Sequence, residues 1–310
     1  MKNFKAFAWL VLAAAVVPTL DAETRCPGNI ASVTPRLVAN ALLVIPVKIN
    51  HERSFDFMVD TGSQVTVVDP SLALELGLKP RVSVGLLSTA SFARASVSVL
   101  DSLEAVSQMV EHPLVIVQDL GQIKAADPRI RGVLGENFLA HFDMLIDYGH
   151  KMLCLDPSRD MRDKVRGERI PLVSPPLVSP QGGEDELEFA PRLVIAVHLS
   201  GVDSRQVLLQ IDSGSDGPIL YQSRGGNRLA LLDRAAQRTG ALSAAQRAFA
   251  ALPAQDLRIG GRTVSQVPFV TPLSVGSNLP ARDEDGLLPT ALFQRVFISF
   301  ADHFVVFDPK

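Results

Sequence analysis

Apolar and polar residues alternate in two short segments of the chain, and each segment runs into an aspartate. Every second residue is apolar in 55–59, before Asp60, and in 207–211, before Asp212. A period of two is typical of a β-strand with one buried face. Two consecutive apolar residues follow seven and eight positions after each aspartate. The pattern therefore predicts a strand, a turn that contains an aspartate, and a second strand, twice.

The similarity between the two segments continues over about 110 residues. A Gly-apolar-apolar sequence begins 72 residues after the first aspartate, at Gly132, and 74 residues after the second, at Gly286. Further along, 145–157 and 297–309 both read as a hairpin that ends in Asp-Pro. Shared order and nearly equal spacing indicate a tandem duplication, so the two halves of the chain are expected to fold alike.

Helical patterns are few and short, at 71–78, 135–142 and 227–240. Many short strands punctuated by Gly and Pro predict a mainly β protein. Prolines and charged residues concentrate between the two copies, where we expect a linker. The predicted organisation is a signal peptide at 1–22, a first lobe at 23–157, a linker at 158–190 and a second lobe at 191–310.

The N-terminal residues have the layout of a secretory signal peptide. Two lysines precede an apolar run that ends at Pro18, and Ala22 offers a cleavage point. The run is shorter than the about 20 residues that span a bilayer. We expect export, to the periplasm or as a secreted protein, with no integral membrane span once the signal is removed. An uncleaved N-terminal anchor is the alternative, because Leu20 is a poor residue for a cleavage site.

Composition narrows the classes of partner and cofactor. The formal net charge of −3 leaves no basic excess to neutralise phosphates, so we expect no nucleic-acid partner. Cys26 and Cys154 either pair in an oxidising compartment or remain two idle thiols. Neither lies beside a histidine or a second cysteine at metal-ligand spacing. We therefore expect neither a metal site nor another cofactor.

The chemistry of the chain concentrates in its two aspartate turns. They read Asp60-Thr61-Gly62-Ser63 and Asp212-Ser213-Gly214-Ser215. One such turn has a simple structural explanation, because Asp bonds its own backbone and Gly supplies a positive φ. A turn that only reverses the chain has no need of the same acid in both copies. The repetition therefore predicts that each turn is half of one site.

The motifs around these turns resemble those of the aspartic proteases. The match lies in V-D-T-G-S at 59–63, I-D-S-G-S at 211–215, G-V-L-G at 132–135 and G-L-L-P at 286–289. The first copy is especially similar to bacterial retropepsin-like domains, and the resemblance covers 40–157 more closely than 192–309. It implies two homologous retropepsin-like (acid protease) barrel lobes, mainly β with a few short helices and related by a pseudo-two-fold axis. One chain carries both lobes, as in pepsin-like enzymes, so a monomer is expected.

The resemblance also implies a role for each residue of the turns. The catalytic groups, one from each lobe, are Asp60 and Asp212. The hydroxyls that brace the opposite loop are those of Thr61 and Ser213. The glycines that let backbone amides approach the carboxylates are Gly62 and Gly214. Hydrogen bonds to the outer carboxylate oxygens come from Ser63 and Ser215, and the segments that pass behind the loops contain Gly132 and Gly286.

Two neighbouring aspartates predict a reaction as well as a fold. Carboxyl groups about 3 Å apart cannot both ionise cheaply, so they share one proton. One then acts as general base toward a bound water, and the other acts as general acid toward the scissile carbonyl oxygen. The prediction is an aspartic endopeptidase that acts on a polypeptide substrate. The sequence leaves open which aspartate holds the proton.

A non-catalytic peptide-binding protein that keeps this fold is the alternative. It is motivated by the second copy, where Pro289 stands at the position of Gly135 and lacks an N–H donor. The sequence Asp216-Gly217-Pro218 also makes the second loop unusual just past its aspartate.

A hairpin that covers the substrate is expected within 82–99. The segment is predicted to turn at about Gly85–Ser91, with Gly85 and Ser88 as candidate flap residues. It contains neither of the two tyrosines of the chain, so a pepsin-type flap tyrosine is missing. An ordinary surface hairpin is the alternative.

Overall fold

The computed structural model describes 26–28, 30–87, 92–173, 192–201, 206–221, 249–272 and 283–309. These residues are mainly β, which confirms the predicted fold class. The strands up to residue 156 are β1 (Ser32–Val33), β2 (Arg36–Val38), β3 (Leu42–Ile49), β4 (Ser54–Val59), β5 (Thr66–Val68), β6 (Val82–Leu87), β7 (Phe92–Val99), β8 (Ser102–Ala105), β9 (Gln108–Glu111), β10 (Leu114–Val117), β11 (Ile130–Leu134), β12 (Asp143–Asp147) and β13 (Met152–Asp156).

The remaining strands and the few short helices follow the same chain order. The strands are β14 (Ile170–Pro171), β15 (Val194–Leu199), β16 (Val207–Asp212), β17 (Ile219–Leu220), β18 (Phe249–Ala251), β19 (Gln255–Ile259), β20 (Arg262–Val267), β21 (Val270–Pro272), β22 (Gly286–Pro289), β23 (Arg295–Ser299) and β24 (Phe304–Phe307). The helices are α1 (Pro70–Glu75), α2 (Gly121–Ala126), α3 (Glu136–Leu139), α4 (Asp160–Lys164) and a 3-10 turn at Thr290–Leu292.

The strands form three sheets, and one of them joins the two halves of the chain. A ten-stranded sheet of the first half has the order β6-β7-β10-β5-β11-β4-β3-β8-β9, with β2 added to β3. An eight-stranded sheet of the second half has the order β18-β21-β17-β22-β16-β15-β19-β20. The third sheet, β1-β13-β12-β23-β24-β14, takes its strands from both halves. The halves therefore share backbone hydrogen bonds as well as side-chain contacts.

The register of the joint sheet places corresponding residues of the two copies opposite each other. Strands β12 and β23 are antiparallel, and Leu145 pairs with Phe297 at their centre. Both side chains are fully buried. Leu145 and Phe297 are separated in sequence by the same number of residues as Asp60 and Asp212. The predicted hairpins at 145–157 and 297–309 are thus present, and they contact each other along β12 and β23.

Helix α1 illustrates how local sequence sets the elements next to the site. Asp69 caps the helix by accepting a hydrogen bond from the Ser71 N–H at 3.0 Å, and Pro70 occupies the first turn. Leu72 is buried, and the chain leaves the helix at Gly77, whose φ of +63° suits glycine. The predicted helices at 71–78 and 135–142 are confirmed as α1 and α3, whereas 227–240 lies outside the described residues.

Part of the segment predicted as a linker is folded into the protein. Residues 160–164 form α4, in which Met161 is fully buried, and β14 adds to the edge of the joint sheet beside β24. The rest of that segment, 174–190, lies outside the described residues, as does the predicted signal peptide at 1–22. Of the helices that the structure describes, none has the length and apolar character needed to cross a membrane.

The two cysteines are paired. Cys26 and Cys154 form a disulfide that spans 128 residues of sequence. Cys154 lies on β13, so the bond fixes the start of the described chain to the joint sheet. It is buried in a cluster with Leu145 of β12, Phe297 of β23 and apolar residues of β13, β24 and the α4 segment. Of the two alternatives that the sequence left open, the structure has the pair.

Candidate active site

Each aspartate turn begins at the end of a buried strand and is held by a parallel neighbour. Strand β4 ends just before Asp60, with β11 parallel beside it, and β16 ends at Asp212, with β22 parallel beside it. The Asp60 N–H donates to the Leu134 carbonyl of β11 at 3.0 Å. The loop that follows is held by the Glu136 N–H, which donates to the Ser63 carbonyl at 2.8 Å. Both turns therefore follow a strand with a parallel neighbour, β11 behind Asp60 and β22 behind Asp212.

Thr61 and Ser213 lock the two turns together through reciprocal hydrogen bonds. Thr61 Oγ1 donates to the Ile211 carbonyl at 3.0 Å and accepts from the Ser213 N–H at 3.0 Å. Ser213 Oγ donates to the Val59 carbonyl at 2.9 Å and accepts from the Thr61 N–H at 3.1 Å. Both side chains are fully buried. Each turn is thus fixed by the other half, in the arrangement predicted for these two hydroxyls.

Asp60 and Asp212 are hydrogen-bonded to each other. Each carboxylate also accepts from a glycine of its own turn, Gly62 N–H to Asp60 Oδ1 at 2.8 Å and Gly214 N–H to Asp212 Oδ1 at 2.7 Å. Burial raises the pKa of Asp60, against the lowering effects of the Asp212 hydrogen bond and nearby N–H groups. Burial and the charge of Asp60 raise the pKa of Asp212 well above its usual range. The pair therefore favours a state in which at least one carboxyl keeps its proton.

Gly62 and Gly214 are positions where a side chain has no room. A Cβ on Gly62 would lie 2.7–2.9 Å from the carboxyl atoms of Asp212, and one on Gly214 would lie closer still to those of Asp60. Real Cβ atoms do not approach other heavy atoms this closely. Each glycine therefore makes room for the aspartate of the opposite turn.

Gly132 and Gly286 lie where three strands pack behind the turns. Strand β11 runs between β4 and β5, and β22 runs between β16 and β17. A Cβ on Gly132 would overlap the Phe57 ring, and one on Gly286 would overlap the Ile219 carbonyl. Both glycines lie behind the loops, as the resemblance implies, and both are needed for close approach of neighbouring strands.

Ser63 and Ser215 face the aspartates with their backbone N–H groups, whereas their hydroxyls bond within their own loops. Ser63 Oγ donates to the Val65 carbonyl at 2.8 Å, and Ser215 Oγ donates to the Gly217 carbonyl at 2.7 Å. A hydroxyl has one proton to donate, so neither is free to donate it to a carboxylate. The backbone N–H groups of Ser63 and Ser215 face the aspartates instead. The two serines shape the turns through their own loops.

A polar brace in the first half was missed by the sequence analysis. Thr66 Oγ1 accepts from the Gly135 N–H at 3.2 Å and donates to Asn137 Oδ1 at 2.8 Å. Asn137 also accepts from the Thr66 N–H at 2.7 Å, and its amide donates to the Leu114 carbonyl at 2.7 Å. These contacts tie β5 and β10 to the segment behind Asp60. No motif marked Thr66 or Asn137, because their importance depends on which strands meet.

A tyrosine of the first half supports the second half. The Tyr148 hydroxyl, on the β12–β13 hairpin, is hydrogen-bonded to the Thr290 hydroxyl at 2.7 Å. Thr290 follows Pro289 directly and is fully buried. Burial, with Asp212 nearby, raises the pKa of Tyr148, so the phenol stays protonated. Tyr148 therefore lies close to the Asp60–Asp212 pair, although it is not part of the predicted flap.

The predicted hairpin at 82–99 is present as β6 and β7. Gly85 lies opposite Arg94 in this antiparallel pair and is exposed. Ser88 lies outside the described residues. The role of this hairpin as a flap stays a prediction. Among the side chains that the structure describes, no group of three or more His, Cys, Asp or Glu is placed to hold a metal ion.

Comparison with known proteins supports the resemblance for the first half. Residues 45–138 match the family model described as aspartyl protease, a segment that includes Asp60 and β11. A crystal structure of a retropepsin-like aspartic protease from Rickettsia conorii matches at 20% identity and a TM-score of 0.30. That match covers 41% of this chain and 90% of the other. No curated protein matches the chain.

Proposed function

We propose that this chain is an aspartic endopeptidase. The carboxyl groups of Asp60 and Asp212 together hydrolyse peptide bonds of a bound polypeptide. The observation that carries the proposal is the mutual hydrogen bond of these two carboxyl groups, which come from different halves of the chain. The reciprocal bonds of Thr61 and Ser213 hold them there. A protein that only bound peptides would gain little from burying two acids against each other.

The shared proton gives the pair both functions that peptide hydrolysis needs. The ionised carboxylate takes a proton from a bound water as the water oxygen attacks the scissile carbonyl carbon. The protonated carboxyl gives its proton to the carbonyl oxygen, so a neutral tetrahedral diol forms and the pair keeps one proton. When the diol collapses and the C–N bond breaks, the protonated carboxyl gives its proton to the leaving nitrogen and the ionised one takes a proton from a diol hydroxyl, so the pair again holds one proton. No covalent intermediate with the protein is formed.

The position of the pair implies how the substrate binds. Asp60 and Asp212 meet at the junction of the two halves, for which we propose two lobes, 23–157 and 191–310, related by a pseudo-two-fold axis. An extended polypeptide would lie between the lobes, with the β6–β7 hairpin as the flap. Both acids belong to one chain, so a monomer suffices. The disulfide between Cys26 and Cys154 supports export to an oxidising compartment.

The proposal is tested with the purified mature chain and a peptide library, from acidic to neutral pH. Asp60→Asn and Asp212→Asn should each lower cleavage by roughly 10²–10⁴-fold, because each removes one half of the acid–base pair. Asp143→Asn is the matched control, since Asp143 is another buried carboxyl and lies outside the site. A pepstatin-like inhibitor should block cleavage and a chelator should not. Cleavage that survives both single changes would contradict the proposal.

A peptide-binding protein without activity is the second candidate, favoured by the two prolines of the second half. Pro289 and Pro218 leave that half without the Thr66–Gly135 hydrogen bond of the first. The same experiment distinguishes the two. A binder would retain peptides without cleaving them, and Asp60→Asn would leave its affinity nearly unchanged.

A further inference from the structure

Glu136 is a buried acid behind the catalytic pair with no clear partner for its side chain. Its carboxyl is fully buried, and neither oxygen has a hydrogen-bond partner of normal geometry among the described residues. Its backbone N–H donates to the Ser63 carbonyl at 2.8 Å, so Glu136 holds the loop that carries Asp60. An unpaired polar group in such a position is costly and calls for an explanation.

In the other half of the chain, the residue at the corresponding position has a side-chain partner. Thr290 follows Pro289 as Glu136 follows Gly135, and its hydroxyl is bonded to Tyr148. The residue that corresponds to Tyr148 in the second hairpin is Phe300, which has no hydroxyl. Phe300 is buried and lines a cavity with Leu193, whose N–H faces the Glu136 carboxyl. The first half thus has an acid where the second has a hydroxyl, and lacks the group that would bond it.

The charged groups around Glu136 decide its protonation. Burial comes first and the charge of Asp60 second in raising its pKa well above the usual range, and Asp212 adds to them. The Leu193 N–H and the Arg192 guanidinium act in the opposite direction. Arg192 is already paired with the buried Glu284, and it lines the cavity together with His303. Glu136 therefore keeps its proton to a higher pH than an ordinary glutamate does.

We propose that Glu136 is a positioning residue of the catalytic centre, and that it must stay uncharged for the Asp60 loop to keep its geometry. The inference rests on the proposed function. An ionised Glu136 would be a second buried anion beside the pair, with only the Leu193 N–H and the already paired Arg192 to stabilise its charge. Because the Glu136 N–H donates to the Ser63 carbonyl, a displacement of the ionised residue toward water would release the Asp60 loop. Ionisation of Glu136 then sets the upper pH limit of activity.

The consequence for stability has a definite sign. An acid with a raised pKa in the folded state holds its proton more tightly there than in the unfolded chain. Stability is then unaffected below the ordinary value of 4.5 and falls as pH rises from that value toward the folded pKa. Glu136→Gln removes this effect. We expect a melting temperature higher than the wild type by a few degrees at about pH 7, and equal to it near pH 4.

The activity test compares pH profiles of kcat/KM for the wild type, Glu136→Gln and Asp143→Asn. Glu136→Gln should move the alkaline limb upward by on the order of one pH unit and leave the acid limb in place. Asp143 is the control, because it too is buried, has an oxygen without a partner, and has a raised pKa caused by burial. Asp143→Asn should stabilise the protein at neutral pH without moving either limb.

The outcomes separate this inference from the proposed function. If Asp60→Asn abolishes cleavage but Glu136→Gln keeps the wild-type alkaline limb, the role of Glu136 is overturned and the proposed function stands. An equal shift in Asp143→Asn would also overturn it, because the effect would then belong to any buried acid. If the wild type cleaves no peptide, the proposed function fails, and with it the positioning role. The melting temperatures would still report whether Glu136 is protonated.

Discussion

The two halves hold their aspartates with the same contacts across the junction and with different contacts behind it. Across the junction, Thr61 and Ser213 exchange matching hydrogen bonds. Behind Asp60, the first half has the polar brace of Thr66 and Asn137. Behind Asp212, the structure instead has Pro289 followed by Thr290, which is bonded to Tyr148 of the first half.

This difference shows which contacts act on the whole site. A contact across the junction positions both carboxyl groups at once, so a change in either copy disturbs the pair. A contact behind one turn positions one carboxyl, and another group can replace it. Where the first half has a brace of its own, the second half has a contact from the other half. Mutations should therefore have similar effects in both halves at the junction and unequal effects behind it.

The largest effect is expected from a side chain at the junction. Gly62→Ala and Gly214→Ala each place a Cβ against the carboxyl of the opposite aspartate, at a distance that forces the turns apart. Displacing a catalytic group by about 1 Å costs on the order of 10²-fold in rate. We expect both variants to lose about 10²-fold or more in kcat, with similar size, measured on the same peptide.

Gly217→Ala is the matched control in the second turn. A Cβ on Gly217 meets no described atom within 4 Å, so the variant should keep wild-type kcat. If Gly62→Ala were active and Gly214→Ala inactive, the two turns would not act equally on the carboxyl pair.

The next effect concerns the disulfide, which only the first half has. Cys154 lies on β13, and the corresponding residue of β24 is Val306. Breaking a bond that closes a loop of 128 residues should cost about 2–5 kcal/mol of unfolding free energy. Urea unfolding with and without reductant measures it. In Cys26→Ser/Cys154→Ser the reductant should change nothing, and a stability equal to the oxidised wild type would contradict the prediction.

What the sequence predicted, and what it did not, follows the same division. The strands before Asp60 and Asp212, the returning strands and the closing hairpins were all predicted, because period-two patterns and repeated spacing are local signals. The aspartates were found because the same turn occurs twice. Each aspartate is followed by a hydroxyl residue, a glycine and a serine, and this pattern predicted which residues lie at the junction. The structure brings Thr61 and Ser213 together there.

The supports behind the turns could not be predicted in the same way. Thr66 and Asn137 are 71 residues apart and meet only because β11 lies between β4 and β5. Tyr148 reaches Thr290 because β12 and β23 pair across the joint sheet. The sequence also does not tell that Ser63 faces Asp60 with its backbone N–H while its hydroxyl donates to the Val65 carbonyl. Such contacts depend on tertiary packing, which a local pattern does not contain.

A smaller effect is expected from the brace behind Asp60. Asn137→Ala removes the acceptor of the Thr66 N–H and hydroxyl and the donor to Leu114. Leaving these partly buried groups unpaired should cost about 1–3 kcal/mol of stability. We expect a lower kcat with nearly unchanged KM, measured together with urea unfolding. The corresponding residue of the second half is Ala291, so that half has no equivalent variant. An Asn137→Ala protein with wild-type stability would show that the brace is not needed.

The smallest effect is expected at the contact that replaces this brace in the second half. Tyr148→Phe removes the hydroxyl bonded to Thr290 and keeps the ring, so the loss should be about 0.5–1.5 kcal/mol of stability. Thr290→Val is the partner variant, and the two form a double-mutant cycle with an expected coupling of about 1 kcal/mol. Phe300→Tyr is the control, because it adds a hydroxyl to the other hairpin without removing a contact. Tyr148→Phe should lower kcat more than this control does. Additive losses from Tyr148→Phe and Thr290→Val would mean that the hydrogen bond does not support the Asp212 turn, and the second half would then depend on the strands behind it alone.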